Sequence, residues 1–210
     1  MPSERPWGPP PSPGSPERTN RSSNRTFGCC GGRERLDCVE RSALDALREL
    51  LAALGIPWVL IGALAANRYR ITTRLTQDVD LLLAGLGPGL AALERALSDA
   101  GWSVRRAAPG GEILRLRHPE LGAADLIVAG TEYERTAIGR ARPEALSPGS
   151  EVRVLAVEDV VVMKLIAGRA QDLADIEAIL AAKPRLDDGY VTGWAEQWGV
   201  LDLWQRLRAS

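Results

Sequence analysis

Two aspartates stand one residue apart in RLTQDVDLLL (74–83), at the mouth of an apolar run. On a strand, residues i and i+2 project to the same face, about 6.6 Å apart along the chain from the usual rise per residue. Asp78 and Asp80 then point together, while Val79 and Leu81 face the other way. Like charges at that spacing repel, and a carboxylate at a buried strand costs free energy unless something pairs with it. A divalent cation resolves the conflict, because hard Mg²⁺ prefers carboxylate oxygens. Asp125, in AADLIV, is a third acid entering an apolar strand. Three such carboxylates from two strands suit a pair of ions about 3.5–4 Å apart, the arrangement used in phosphoryl and nucleotidyl transfer. A solvated strand end or a turn-capping acid is the plainer reading of an isolated D-x-D.

The stretch ahead of the pair adds a second feature. Gly62 follows the apolar run IPWVLI and directly precedes a helix-forming segment. A small residue at such a turn lets a phosphate approach backbone N–H groups. Arg74 and Thr76, just before the acids, offer further phosphate contacts. Taken singly, Gly62 is also an ordinary strand-to-helix turn.

These residues need elements to position them. Leu44, Leu47, Leu50, Leu51 and Leu54 recur at helical spacing and Gly55 closes that helix. IPWVLIG (56–62) reads as a buried strand, ALAANRYR as helix and DVDLLL (78–83) as a second strand. LAALERALSDAG (90–101) is amphipathic, WSVRRAA and EILRLRH alternate as half-buried strands, and AADLIVA (123–129) is a central one. PEALSPGSE (143–151) is rich in turn residues and reads as a separator. Beyond it come a short strand, helices over about Val157–Gly168 and Gln171–Ala182, and a tail whose Trp194, Trp198 and Trp204 are spaced for core packing. The expected fold is α/β (α+β), with a mixed sheet flanked by helices and a C-terminal helical region. The expected boundaries are 1–35 for a tail, 36–150 for the α/β core and 151–210 for the helical region.

The tail is distinct in composition. Residues 1–35 hold half of the fourteen prolines and no Leu, Ile or Val, so they are expected to be disordered. With 26 basic and 27 acidic residues the net charge is -1, and no global field favours nucleic acid or membrane. No apolar run reaches the roughly 20 residues that span a bilayer, and the N-terminus lacks a signal-peptide core. A cytoplasmic location without membrane contact is the expectation. Cys29, Cys30 and Cys38 find no matching His or Cys set for zinc and read as reduced thiols.

The constellation Gly62-Ala63, Asp78/Asp80 and Asp125 resembles the nucleotidyltransferase superfamily that includes DNA polymerase beta. Within it the chain looks like the AbiEii-type branch of bacterial nucleotidyltransferases, known mainly as toxins of toxin–antitoxin systems. The second supporting block is VEDVVVMKLIAGRAQDLADIEAIL (157–180), which places Lys164, Arg169, Asp172 and Asp175 at the branch's pattern positions. The resemblance covers roughly residues 40–182 and implies transfer of an NMP from an NTP to an acceptor hydroxyl. It implies two Mg²⁺ ions held by Asp78, Asp80 and Asp125, phosphates cradled by Gly62 and Ala63, and Lys164 with Arg74 countering charge. It also implies an RNA acceptor such as transfer RNA, or a protein acceptor, and a cognate antitoxin.

Several residues keep two readings. Lys164 lies on the apolar helix segment VVVMKLIA, where it reaches into the site or snorkels to the surface. Asp172 and Asp175 share a helix face and either orient Lys164 and Arg169 or form a surface salt-bridge array. Arg68, Arg70, Arg105, Arg106, Arg115 and Arg117 make a local path for RNA or are ordinary exposed charges. Ala63 departs from the superfamily's usual Ser or Gly and supplies only its backbone N–H. That departure keeps a non-catalytic, nucleotide-binding or antitoxin-like partner in view. Transfer to a small molecule, as in aminoglycoside-type branches, is the other alternative.

Overall fold

A computed structural model describes residues 32–76, 78–107, 112–147 and 150–209. The segment read as a disordered tail lies outside the described residues up to residue 31, as do Cys29 and Cys30. Gly32–Arg35 instead form the first turn of the first helix.

The chain runs α1 (Gly32–Ala53), β1 (Trp58–Leu60), α2 (Gly62–Asn67), β2 (Asp78–Leu83), α3 (Leu90–Asp99), β3 (Ser103–Arg106), β4 (Ile113–His118) and β5 (Gly122–Val128). There follow α4 (Glu132–Arg140), β6 (Arg142–Ser147), β7 (Ser150–Val154), α5 (Val157–Ala167), α6 (Ala170–Ala181), α7 (Asp188–Gln197) and α8 (Leu201–Ala209). The strands make one mixed sheet in the order β3-β4-β5-β2-β1-β7-β6. β2 runs parallel to β5 and antiparallel to β1, which in turn runs parallel to β7. The mixed α/β architecture expected from the sequence is the one observed.

Alternation along the strands separates the two sheet faces. Val79, Leu81, Leu83, Leu114, Leu116 and Leu126 are fully or almost fully buried, on the side where α1 and α3 meet the sheet. Their neighbours Asp78, Arg115 and Arg117 are exposed, and Asp80 and Asp125 half-buried, on the opposite face. Toward β1 both faces are covered, and Val59 and Leu60 are wholly buried. The sheet is thus closed on both sides at β1 and open on one side at β3–β5.

Two local elements differ from the sequence expectation. The segment 143–151 is not a separator: β6 and β7 pair antiparallel as a hairpin at the sheet margin. Pro143 sits on β6, the outermost strand, where a missing backbone N–H is tolerated. The other is α4, which begins with a capping box: the Thr131 side chain accepts from Glu134 N, and Glu134 accepts from the Thr131 backbone N–H.

α5 also carries a polar cluster around the buried Asp159. Asp159 accepts hydrogen bonds from Arg140 Nε (2.9 Å) and Tyr190 Oη (2.6 Å), and Tyr133 Oη donates to its carbonyl (2.9 Å). The cluster ties α4, α5 and α7 together. Among the tryptophans, Trp204 is buried and Trp194 packs edge-on against Tyr133 at 5.0 Å between ring centroids.

Candidate active site

The strand register sets the acids. Asp80 lies directly beside Asp125 in the parallel β2–β5 pair, and Asp78 beside Ala123. Directly opposed residues share a face, with strands spaced about 4.8 Å apart. All three aspartates line one cavity of about 620 Å³, together with Gly62, Ala63, Arg74, Thr76 and Lys164.

Gly62 forms the turn from β1 into α2 and has φ +65°, the left-handed region that favours glycine. A Cβ built there would stand 1.9 Å from Asp80 Oδ2 and 2.7 Å from Asp80 Cβ. The Asp80 carboxylate therefore rests in the space that glycine's missing side chain leaves. Backbone conformation and side-chain packing impose glycine at this position independently.

Charge on this wall is poorly compensated. Burial raises the Asp80 carboxyl to about 6, helped by the negative charges of Asp125 and Asp78; Lys164 and Arg169 oppose the rise without cancelling it. Burial also raises Asp125, against the pull of Arg115. Its ion pair with Arg115 is long, 3.7 Å, and half-exposed. Asp78 is exposed and accepts from Arg117 Nη1 at 3.3 Å. Among the described residues, no three His, Cys, Asp or Glu side chains are already gathered as a metal cage. Asp78 is drawn instead toward Arg117. The donor set still fits a hard divalent cation: carboxylates on one face of one cavity, with a mutual repulsion that such a cation relieves.

The facing wall is built from α5, α6 and the loop after α2. Lys164 is buried and does not snorkel. Its Nζ donates to Asp172 Oδ1 (3.2 Å) and Asp175 Oδ2 (2.6 Å). Asp175, 1% exposed, also accepts from Arg70 Nη1 at 2.5 Å, and Arg74 Nε lies 3.4 Å away as an ionic contact without hydrogen-bond geometry. Asp172 accepts from Arg169 Nε at 2.6 Å. Burial works against ionisation of Asp172, but the hydrogen bond from Arg169 and the charge of Lys164 outweigh it and hold its carboxyl below the ordinary range. Asp172 and Asp175 thus form a buried network with Lys164, not a surface array.

Other residues occupy places that the sequence did not signal. Arg70, read with the RNA path, is tucked into the Asp175 network. Asn67 clamps the loop after α2: its Nδ2 donates to the Arg74 carbonyl (2.8 Å) and its Oδ1 accepts from Arg74 N (2.9 Å). Thr76 is buried on the cavity wall, with only long contacts between its hydroxyl and the Asp78 backbone (3.4 Å). Leu155, Val160 and Met163 supply an apolar side to the cavity. Arg68 and Arg106 of the suggested path are likewise paired elsewhere, whereas Arg105, Arg115 and Arg117 share the open sheet face. Arg68 pairs with Glu144, and Arg106 forms a two-pronged pair with Glu94 (2.6 Å for each contact).

No protein-family model and no curated protein sequence matches the chain. Solved structures do. The antibiotic-resistance factor ANT(2'')-Ia, in its solution structure, superposes with a TM-score of 0.52 at 16% identity, over 83% of this chain and 94% of that one. The lincosamide antibiotic adenylyltransferase LnuA, lincomycin-bound, superposes with a TM-score of 0.50 at 13% identity, over 67% of this chain and 96% of that one. The chain therefore has the nucleotidyltransferase fold. Among the described residues, no helix is long and apolar enough to cross a membrane.

Proposed function

We propose that the chain is a magnesium-dependent nucleotidyltransferase that moves a nucleoside monophosphate from an NTP to an acceptor hydroxyl. One observation carries this reading above the others. Asp80 stands in register with Asp125 on a cavity wall, pressed against Gly62, with its carboxyl raised to about 6. A half-buried, poorly compensated acid pair beside a left-handed glycine is costly to the fold, and perturbed carboxylates gather at functional sites.

Asp78 and Asp80 would hold two Mg²⁺ ions, and Asp125 one of them. When bound, the ions neutralise triphosphate charge and lower the pKa of the attacking hydroxyl. Gly62 and Ala63 would present backbone N–H groups to the phosphates, with Arg74 and Thr76 beside them on the same cavity wall. Asp125, with its carboxyl held above the ordinary range, would take the proton from the acceptor hydroxyl. The acceptor oxygen bonds to the α-phosphorus, the bond from that phosphorus to the bridging oxygen breaks, and pyrophosphate leaves. Lys164 would counter the developing charge from its seat between Asp172 and Asp175, with Arg169 at the cavity mouth.

The acceptor in this reading is RNA, such as transfer RNA, or a protein hydroxyl. A toxin role with a cognate antitoxin belongs to the same proposal, through the AbiEii-type resemblance. A second reading rests on Ala63, which lacks the hydroxyl of the usual serine: the protein binds nucleotide as a non-catalytic or antitoxin-like partner. The folds of LnuA and ANT(2'')-Ia, named for antibiotic modification or resistance, keep a small-molecule acceptor as a third.

The test incubates the full chain with Mg²⁺ and each labelled NTP, in the presence of total RNA, protein extract or an aminoglycoside. Label on RNA or protein, lost in Asp80→Ala, is the expected result. Label on the aminoglycoside alone selects the small-molecule reading. An NTP-dependent rise in melting temperature without any transfer selects the non-catalytic one. Growth arrest on expression, relieved by Asp80→Ala, is the outcome expected of a toxin.

A further inference from the structure

The acid row does not stop at Asp125. In β4, Arg115 lies directly opposite Asp125, and in β3, Arg105 lies directly opposite Arg115. Asp80, Asp125, Arg115 and Arg105 therefore form one straight row across four strands, all on the same face. The adjacent row on that face reads Asp78, Ala123, Arg117 and Ser103. Three guanidinium groups thus continue from the acids toward the sheet edge, over about 14 Å from three strand spacings.

This end of the sheet is open on that side. Arg105, Arg115 and Arg117 are exposed, whereas Leu114 and Leu116, pointing the other way from β4, are buried. An open antiparallel face usually carries mixed polar side chains. Here it carries three arginines, with the small residues Ser103 and Ala123 on either side of Arg117. The pairs Arg117–Asp78 and Arg115–Asp125 are exposed and therefore weak. A cation taken up by the acids would release both guanidinium groups to other anions.

We propose that Arg105, Arg115 and Arg117 form a track that receives the phosphates of a single-stranded RNA acceptor as its terminal ribose hydroxyl enters the cavity. The inference rests on the nucleotidyl-transfer reading and names its acceptor class. Arginines at regular intervals match a repeating phosphate chain, and the planar guanidinium fork suits phosphate oxygens. The same three charges repel a cationic aminoglycoside. The cavity at the track's end, about 620 Å³, has the size of a small-molecule site and suits a single terminal nucleotide.

Fluorescence anisotropy of the full chain with a short, end-labelled single-stranded RNA, measured across a salt series, tests the track. Arg105→Ala, Arg115→Ala and Arg117→Ala should each lower the slope of log affinity against log salt by about 0.7, and the triple variant by about 2. Arg106→Ala, on the opposite face of β3, should leave the slope unchanged. Melting temperatures with and without Mg·ATP run alongside, to show that each variant folds and keeps its nucleotide response. An unchanged slope in the folded triple variant overturns the track. So does track-dependent binding of an acidic protein in place of RNA. If the wild type responds to Mg·ATP but binds no RNA, the track falls while nucleotidyl transfer stands; if it responds to neither, both fall.

Discussion

On the helical wall of the cavity, Lys164, Arg70 and Arg169 close around Asp172 and Asp175 at hydrogen-bonding distance, and both acids are buried. On the sheet wall, Asp78, Asp80 and Asp125 meet only long or exposed contacts from Arg115 and Arg117, and the Asp80 carboxyl is raised to about 6. One wall pairs its acids internally; the other leaves its acids poorly paired. Buried ion pairs closed by hydrogen bonds behave as architecture, because removing one partner strands the other. Crowded carboxylates without cations repel one another and lower stability when ionised, the cost that the proposed cation would relieve. On the proposed reading the helical wall holds the cavity's shape and the sheet wall holds the metal and nucleotide.

Substitutions break the contrast in order of size. Lys164→Met removes the central cation of the satisfied wall and leaves two buried carboxylates short of a donor. It should cost about 3–5 kcal/mol, read as a lower midpoint in chemical denaturation. Gly62→Ala strikes the junction between the walls, where a Cβ would overlap Asp80 Oδ2 and the φ of +65° disfavours any side chain. A loss of about 2 kcal/mol is expected, near that of other strained left-handed positions, together with a lost Mg·NTP response. Arg169→Ala should be the mildest. Its side chain is 77% exposed, so its pair with Asp172 contributes at most about 1 kcal/mol. A stability loss from Arg169→Ala as large as that from Lys164→Met would erase the distinction between a buried network and its exposed rim.

Much of this was legible in the sequence because it is local. The i, i+2 period of a strand put Asp78 and Asp80 on one face, and an apolar strand with a single acid at its third position singled out Asp125. Register across strands is non-local, so the continuation of the acid row into Arg115 and Arg105 could not be read from either strand alone. Arg70 reads as the end of the helix ALAANRYR and groups with exposed charges, but α2 ends at Asn67 and the chain beyond it turns Arg70 to Asp175. The β6–β7 hairpin hid behind Pro143, Pro148 and Gly149, which signal turns, although a proline on an outermost strand breaks no ladder. α4 carried its own signal in TEYE, a capping box ahead of Tyr133, Ala137 and Ile138.

The uncompensated wall makes a claim about the sign of a stability change. The Asp80 carboxyl lies at about 6 in the folded chain against an ordinary 3.8, so the folded state binds this proton more tightly than the unfolded one. Its contribution is full below pH 3.8 and is lost as pH rises through about 6. Near neutral pH the ionised group lowers stability by up to about 3 kcal/mol. The direct measurement is the melting temperature of the wild type and Asp80→Asn near neutral pH, first without metal and then with Mg·ATP. The expected order reverses: Asp80→Asn melts higher without metal, and the wild type melts higher with Mg·ATP. If Asp80→Asn melts lower in both conditions, or both proteins gain equally from Mg·ATP, Asp80 is a structural acid and the sheet wall is not a metal–nucleotide site.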